Sequence, residues 1–302
     1  MAGSLAGQIA LVTGASKNIG KGMALEVATS GAMTYLTARS LDDVPGHLAS
    51  LQRTVAEIEA RGGHAVALAC DHNEDAQVEA VFARIAADHG RLDLVVNVAS
   101  PDFSDMVGVS FWDLPFDAMT RCLNIGPRSN FVTTALAARM MIPQKSGVVI
   151  NISSHGAASY LLSVPYGVGK GAIDKLTRDT AAELKPHDVA VVSLWPGLVL
   201  TEGLLSHTTL TEDGRRELHG LDISFGESPE FNGKAIVALA SDPNIMARTG
   251  GSFWSTEIAR DYGFTEADGS MPPFQGGLGS RMTQDEIPEY WRGVERFSTV
   301  TD

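Results

Sequence analysis

Within Tyr166-Gly167-Val168-Gly169-Lys170 a phenol and an amine stand four residues apart. Pro165, just before them, suits the first turn of a helix, and on a helix the i,i+4 spacing puts both groups on one face. A cation beside a phenol favours the phenolate and draws its pKa down towards the working range, so the pair can act as acid and base. Hydride addition to a ketone needs such a group, because the developing alkoxide must be protonated. A tyrosine and lysine at this spacing arise often by chance and then mark an ordinary surface tyrosine. The apolar run Val148-Val149-Ile150-Asn151-Ile152-Ser153-Ser154 strengthens the chemical reading, since a strand there ends in hydroxyls able to hydrogen-bond the same oxygen.

A second constellation lies near the start, where an apolar run leads into Thr13-Gly14-Ala15-Ser16-Lys17-Asn18-Ile19-Gly20 and then into a helical pattern. In that context backbone N–H groups and a helix N-terminus can approach a pyrophosphate, and glycine is required because a side chain would block the approach. A P-loop for phosphoryl transfer is the rival, suggested by Gly20-Lys21. It needs glycine where Ala15 stands and Ser or Thr where Gly22 stands, so it fails twice. The next strand ends in Thr37-Ala38-Arg39-Ser40. An arginine there accommodates a ribose 2′-phosphate, where an acid would bind the free 2′-hydroxyl. With Lys17 as a second cation, the expected cofactor is NADP(H).

These residues need a scaffold of alternating strands and helices. Short apolar runs predict strands at Ile9–Thr13, Met33–Ala38, Ala65–Ala69, Leu92–Val98, Val148–Ser153, Ala190–Trp195 and Ser252–Trp254. Helical periods fall at Ile19–Ser30, Gly46–Arg61, Glu74–His89, a long pair within Phe116–Met141, Pro165–Lys185 and Pro229–Ala240. Seven strands with helices on both faces make an α/β, doubly wound parallel sheet, a Rossmann fold. No linker divides the first part of the chain. Residues 1–256 are therefore expected to form one dinucleotide-binding and catalytic domain, and residues 257–302, without a sustained period, an irregular C-terminal extension over its surface.

Composition excludes several other classes. Acids outnumber bases 36 to 23, a net charge of -13 that repels a nucleic-acid backbone. The two cysteines, Cys70 and Cys122, lack CxxC spacing, so no metal site is expected. No apolar run reaches the roughly 18 residues of a membrane span. No Lys or Arg precedes Lys17 to flank a secretory signal, and a cytoplasmic location is expected.

Taken together, the glycine turn, Asp71 after strand three, Asn97 after strand four, Asn124 in a helix, the Ser153-Ser154 strand end, Tyr166, Lys170, and Pro196-Gly197 with Thr201 resemble the short-chain dehydrogenase/reductase family. Phe111-Trp112, Val164–Lys170, Ser193–Gly197 and Ala240–Ile245 are similar to the subgroup typified by dehydrogenase/reductase SDR family member one. The resemblance implies that Tyr166 is the proton donor or acceptor and that Lys170 lowers its pKa and holds the nicotinamide ribose. It gives Asn124 a water linking Lys170 to solvent, and a strand-end serine the substrate oxygen. Gly14, Ser16, Lys17, Asn18, Ile19, Gly20 and Arg39 would hold the phosphates. Asp71 would contact adenine, Asn97 the adjacent ribose region, and Pro196, Gly197 and Thr201 the nicotinamide end.

The chain departs from the family pattern at three places. Asn18 replaces the middle glycine, and asparagine visits the left-handed region more readily than other side chains. Asn97-Val98-Ala99-Ser100 stands where the family has Asn-Asn-Ala-Gly. The usual spacing from serine to tyrosine picks Ser153, whereas aligning the strand end picks Ser154; side chains alternate along a strand, so only one faces the site. Ser154 is preferred, because a deletion is easier in the following loop. His155 beside Ser154 does not make a hydrolase, as no GxSxG elbow is present.

On the substrate side, Phe103, Met106, Phe111 and Trp112 are candidates for an apolar pocket, with residues 198–225 as a lid. The expected partner is a hydrophobic ketone, aldehyde or matching alcohol. The expected function is an NADP(H)-dependent oxidoreductase; a dinucleotide-binding sensor without turnover is the alternative. A homodimer or homotetramer is expected through the long helices, with Gly167, Gly169, Gly171 and Ala172 permitting close packing.

Overall fold

Five consecutive buried residues, Ile9–Thr13, form β1, and runs of the same kind build the sheet around it. In the computed structural model of the chain, residues 3–43, 49–218 and 220–273 are described. The strands are β1, β2 (Met33–Ala38), β3 (His64–Ala69), β4 (Leu94–Asn97), β5 (Gly147–Ile152) and β6 (Val189–Trp195), closed at one edge by β10 (Ser252–Trp254). Their order is β3-β2-β1-β4-β5-β6-β10 and every pairing is parallel. The expected doubly wound sheet of seven strands is the observed fold. Central strands read as unbroken apolar runs because both faces are covered.

Alternation along the strands feeds two cores. Ala10, Val12, Leu36, Val96, Ile150 and Val192 point to one face, packed by α1 (Asn18–Thr29) and α8 (Pro229–Ala240). Leu11, Tyr35, Val95, Val149 and Val191 point to the other, packed by α3 (Asp75–His89), α5 (Ser129–Gln144) and α6 (Val164–Leu184). The strand order reverses between β1 and β4, so the turns after them splay apart and leave a crevice at the carboxyl ends.

The remaining elements show where sequence patterns fell short. Helix α2 spans Leu51–Ala60, and the expected start at Gly46 lies outside the described residues. The predicted long pair is α4 (Asp117–Leu123) and α5, joined by a π turn, Asn124–Arg128; Pro127, lacking an N–H, interrupts the ladder there. Residues 202–222 hold a short helix, α7 (Glu202–Leu205), and three antiparallel strands: β7 (Thr209–Leu210), β8 (Arg216–Leu218) and β9 (Leu221–Asp222). Asp213-Gly214 between the first two was a legible hairpin signal. The segment from 257 begins inside a helix, α9 (Ser255–Tyr262), which buries Ile258 and Ala259; eight residues are too few for a convincing period. The rest of the expected extension, from residue 274, lies outside the described residues. Among the described residues no helix is long and apolar enough to cross a membrane.

Candidate active site

The glycine turn after β1 is shaped by steric exclusion. Gly14 sits at φ 68°, and a Cβ on it would lie 2.8 Å from Ala99 Cα; one on Gly20 would lie 2.2 Å from the Gly14 carbonyl oxygen. Thr13 Oγ1 accepts the N–H groups of Val98 and Ala99 at 2.9 and 3.1 Å, which ties the turn to the end of β4. Asn18 adopts φ 53°, the left-handed conformation expected of a glycine substitute, and its Oδ1 accepts the Gly203 N–H at 3.3 Å. Helices α2, α6, α7 and α8 are capped by Ser50, Ser163, Thr201 and Ser228, whereas α1 has no side-chain cap and no acid in its first turn. Its leading amides are thereby left to an outside acceptor, and negative charge is favoured there.

Ser16 and Ile19 are half-buried in this turn, and Lys17 and Arg39 are exposed beside it. Asp71 accepts the backbone N–H of Asn73 at 2.9 Å, which shapes the turn after β3. Asn97 is tied into the sheet by its side chain. It is buried, its Nδ2 donates to Asn151 Oδ1 at 2.9 Å, and its Oδ1 accepts from Thr133 at 2.7 Å, so its amide braces the sheet.

Beyond β5 the two serines separate as strand alternation demands. Ser154 Oγ accepts the Tyr166 hydroxyl at 3.0 Å, while Ser153 Oγ donates to the Lys170 carbonyl at 3.1 Å. Ser154 also caps the short turn that follows by accepting Gly156 N–H. Lys170 Nζ donates to the Ile152 carbonyl at 3.0 Å and lies 5.6 Å from the Tyr166 ring centre. The π turn that opens at Asn124 packs against α6, the helix bearing both residues. From sequence, Lys170 was to bring the phenol down. In the structure burial governs instead: the Tyr166 phenol is pushed up to about 12, with the Ser154 bond only moderating the rise, and burial lowers Lys170 to about 8.

The Pro196-Gly197 turn is held from beneath by a residue sequence reasoning missed. Glu227 is wholly buried, and its carboxylate accepts Gly197 N–H at 3.0 Å, Asn232 Nδ2 at 3.1 Å and Ser255 Oγ at 2.7 Å. Burial raises it to about 7, against those three hydrogen bonds. A lone glutamate between a lid and a helix carries no motif that would have flagged it. Thr201 caps α7 by accepting Leu204 N–H at 3.1 Å, and Lys21 of α1 pairs with Glu57 at 2.9 Å and Glu202 at 3.3 Å.

The four candidate pocket residues part company. The Phe103 ring meets Tyr166 edge-on at 5.2 Å, and Met106 is buried against Cys122, whereas Phe111 and Trp112 are 60% and 71% exposed. Two of the glycines of α6 also allow close approaches within the chain. A Cβ on Gly167 would lie 3.1 Å from the Gly156 carbonyl oxygen and one on Gly169 3.2 Å from that of Cys122, so they admit neighbours within the chain. His155 is buried and stacked on Trp254 at 5.5 Å, a packing role that removes it from hydrolytic chemistry.

Comparison with known proteins agrees with this geometry. The sequence model of the short chain dehydrogenase family matches residues 8–209. Dehydrogenase/reductase SDR family member 1 of Mus musculus is 37% identical over 291 residues, covering 94% of this chain and 91% of the mouse protein. Among solved structures, a short-chain type dehydrogenase/reductase from Mycobacterium marinum superposes with a TM-score of 0.67 at 29% identity, covering 83% of this chain and 94% of that one. A metagenomic short-chain oxidoreductase in complex with NADP does so with 0.65 at 26%, covering 83% and 97%. Members of this family are oxidoreductases that bind a nicotinamide dinucleotide, and the chain belongs to the short-chain dehydrogenase/reductase family.

Proposed function

We propose that the protein interconverts a hydrophobic ketone or aldehyde and its alcohol with NADP(H). The observation that carries this reading is the 3.0 Å hydrogen bond between Tyr166 and Ser154, with Lys170 one turn further along the same helix. The residues present fit the cofactor: the side-chain-free turn at Gly14 and Gly20 and the uncapped start of α1 suit a pyrophosphate. Ser16, Asn18 and Ile19 would line that turn. Arg39 and Lys17 would take a 2′-phosphate, Asp71 the adenine end, and Pro196, Gly197 and Thr201 the nicotinamide end. The NADP-bound relative supports the cofactor class. When bound, the nicotinamide supplies or accepts the hydride.

The chain's own residues move the proton. A phenol held at about 12 is protonated at neutral pH, so Tyr166 is poised to donate to an oxygen gaining negative charge, the direction of reduction. Ser154 holds that oxygen through the hydroxyl now facing Tyr166. Lys170, mainly ammonium below about 8, offsets the charge left on the phenol, and Asn124 at the π turn would hold a water on the path to solvent. Phe103 lies against the Tyr166 ring and favours an apolar substrate. Exposed Phe131 on α5 and Val168 on α6 support a homodimer or homotetramer through those helices, to be read as mass by light scattering.

The decisive experiment follows absorbance of NADPH and NADH with a panel of hydrophobic ketones and aldehydes. NADPH-dependent turnover is expected. Tight cofactor binding with no turnover across the panel would instead mark a dinucleotide sensor.

A further inference from the structure

We infer that Asp174 is a positioning residue for the acid–base pair: a buried carboxylate that keeps Lys170 an ammonium and ties its helix to the strand leading into the Pro196-Gly197 turn. The inference rests on the roles proposed for Tyr166 and Lys170. Residues 166, 170 and 174 succeed one another at four-residue spacing along α6, so their side chains share one face. Asp174 is 4% exposed, whereas Lys175 and Asp179 beside it form an exposed pair. Its Oδ1 accepts Ser193 Oγ at 2.7 Å and its two oxygens accept Trp195 Nε1 at 3.2 and 3.1 Å, both donors belonging to β6. Trp195 immediately precedes Pro196.

A buried carboxylate with neutral donors alone is costly, and its usual compensation is a cation within reach. On its own helix the cation that acts on it is Lys170; from β6 Ser193 and Trp195 face Asp174, and from just beyond β5 Ser153 does. Facing Lys170 are Tyr166 and Asp174 from α6, the Ile152 carbonyl from β5 and Cys122 from α4. Burial pushes the Cys122 thiol up, so it is neutral at working pH and leaves Asp174 to oppose the desolvation of the amine. With that opposition Lys170 still stands near 8. Without it, the ammonium would be lost within the ordinary working range.

Asp174→Asn isolates the charge, because one amide oxygen can accept from both Ser193 and Trp195 as Oδ1 does now. In protein labelled with ¹⁵N at the lysine amines, with the Lys170 signal assigned through Lys170→Met, the Lys170 titration should fall by about one pH unit or more in Asp174→Asn. Asp174→Glu should restore most of it. The alkaline limb of kcat/KM for NADPH-dependent carbonyl reduction should move down by the same amount. A Lys170 titration unmoved in Asp174→Asn, with turnover or stability lowered alike at every pH, would overturn the inference and leave Asp174 a structural residue. If that variant does not fold, the wild type still decides: the ¹³C shift of the Asp174 carboxyl must inflect where Lys170 loses its proton, and a flat response there refutes the pairing. A shifted Lys170 titration in a protein that reduces nothing upholds the pairing and sinks the proposed reaction instead.

Discussion

The crevice has two walls built by different means. One stands on the ends of β1, β4 and β5 and on α6, where side chains are fixed by buried hydrogen bonds in series: Thr133 to Asn97, Asn97 to Asn151, and Asn151 to Thr177 at 2.9 Å. The other consists of residues 98–116 and 198–227, short turns and two- or three-residue strands held at a few points: Asn18 to Gly203, Lys21 to Glu202, Gly197 to Glu227. Groups that transfer protons must keep sub-ångström geometry and belong on the first. Groups that only recognise a substrate can sit on loops, where the proposed pocket residues Phe103, Phe111 and Trp112 stand.

If the walls divide labour in this way, the largest losses come from the first. Tyr166→Phe should lower kcat by about 10²–10⁴-fold while leaving cofactor affinity nearly unchanged, because the phenol is asked for proton transfer. Ser154→Ala should follow in the same parameter, and Ser153→Ala should cost much less, since that hydroxyl bonds the Lys170 carbonyl and not Tyr166. Steady-state kinetics on the three variants read this directly; full activity in Tyr166→Phe breaks the mechanism. Next in size is Arg39. Loss of a charge-assisted bond to a 2′-phosphate should weaken NADPH by roughly 10- to 150-fold and leave NADH almost untouched. Arg39→Asp should collapse or invert the preference. Dissociation constants for both cofactors decide it, and a wild type that already prefers NADH would falsify the NADP(H) assignment.

The first wall was legible in sequence because each of its parts leaves a trace in one short segment. Glycines at fixed offsets after a strand, a phenol and an amine one turn apart, and hydroxyls at a strand end each demand a particular residue type. Alternation required that only one of Ser153 and Ser154 face the site, and the easier deletion in the following loop picked Ser154. What sequence could not give was solvation: the phenol rises to about 12 because burial outweighs its hydrogen bond to Ser154, and burial is a property of the folded chain. The second wall was opaque for the same reason. Glu227 there, like Asp174 on α6 in the first wall, draws donors from 19 to 30 residues away, with no local pattern to announce it.

A smaller effect should come from the second wall. Phe103→Ala removes the ring set edge-on against Tyr166 without touching the hydroxyl or its serine. KM for a bulky apolar carbonyl should rise by about 10-fold, the value of one modest apolar contact, with kcat changed less. Kinetics with a large and a small ketone would sharpen the comparison. A kcat loss as deep as that of Tyr166→Phe would erase it, because Phe103 would then be positioning the acid.

An effect on stability alone, vanishing at low pH, is expected at Glu227 beneath the Pro196-Gly197 turn. Glu227 stands near 7 in the folded protein against an ordinary value near 4.5, so between those values the folded chain holds a proton that the unfolded chain has released. Stability from this group is full below the unfolded value and declines as pH rises through about 7. Glu227→Gln resembles the protonated form: the amide oxygen can accept from Gly197 and Asn232, and the amide nitrogen can donate to Ser255 Oγ. Wild type and variant should therefore unfold alike near pH 5. The variant should gain on wild type as pH rises, by on the order of 3 kcal/mol at pH 8. Denaturant curves at several pH values give the difference directly. A gap that stays constant from pH 5 to pH 8 would mean that Glu227 is ionised throughout, and that the lid is fastened to the rigid wall by a permanent charge and not by a group that titrates near neutrality.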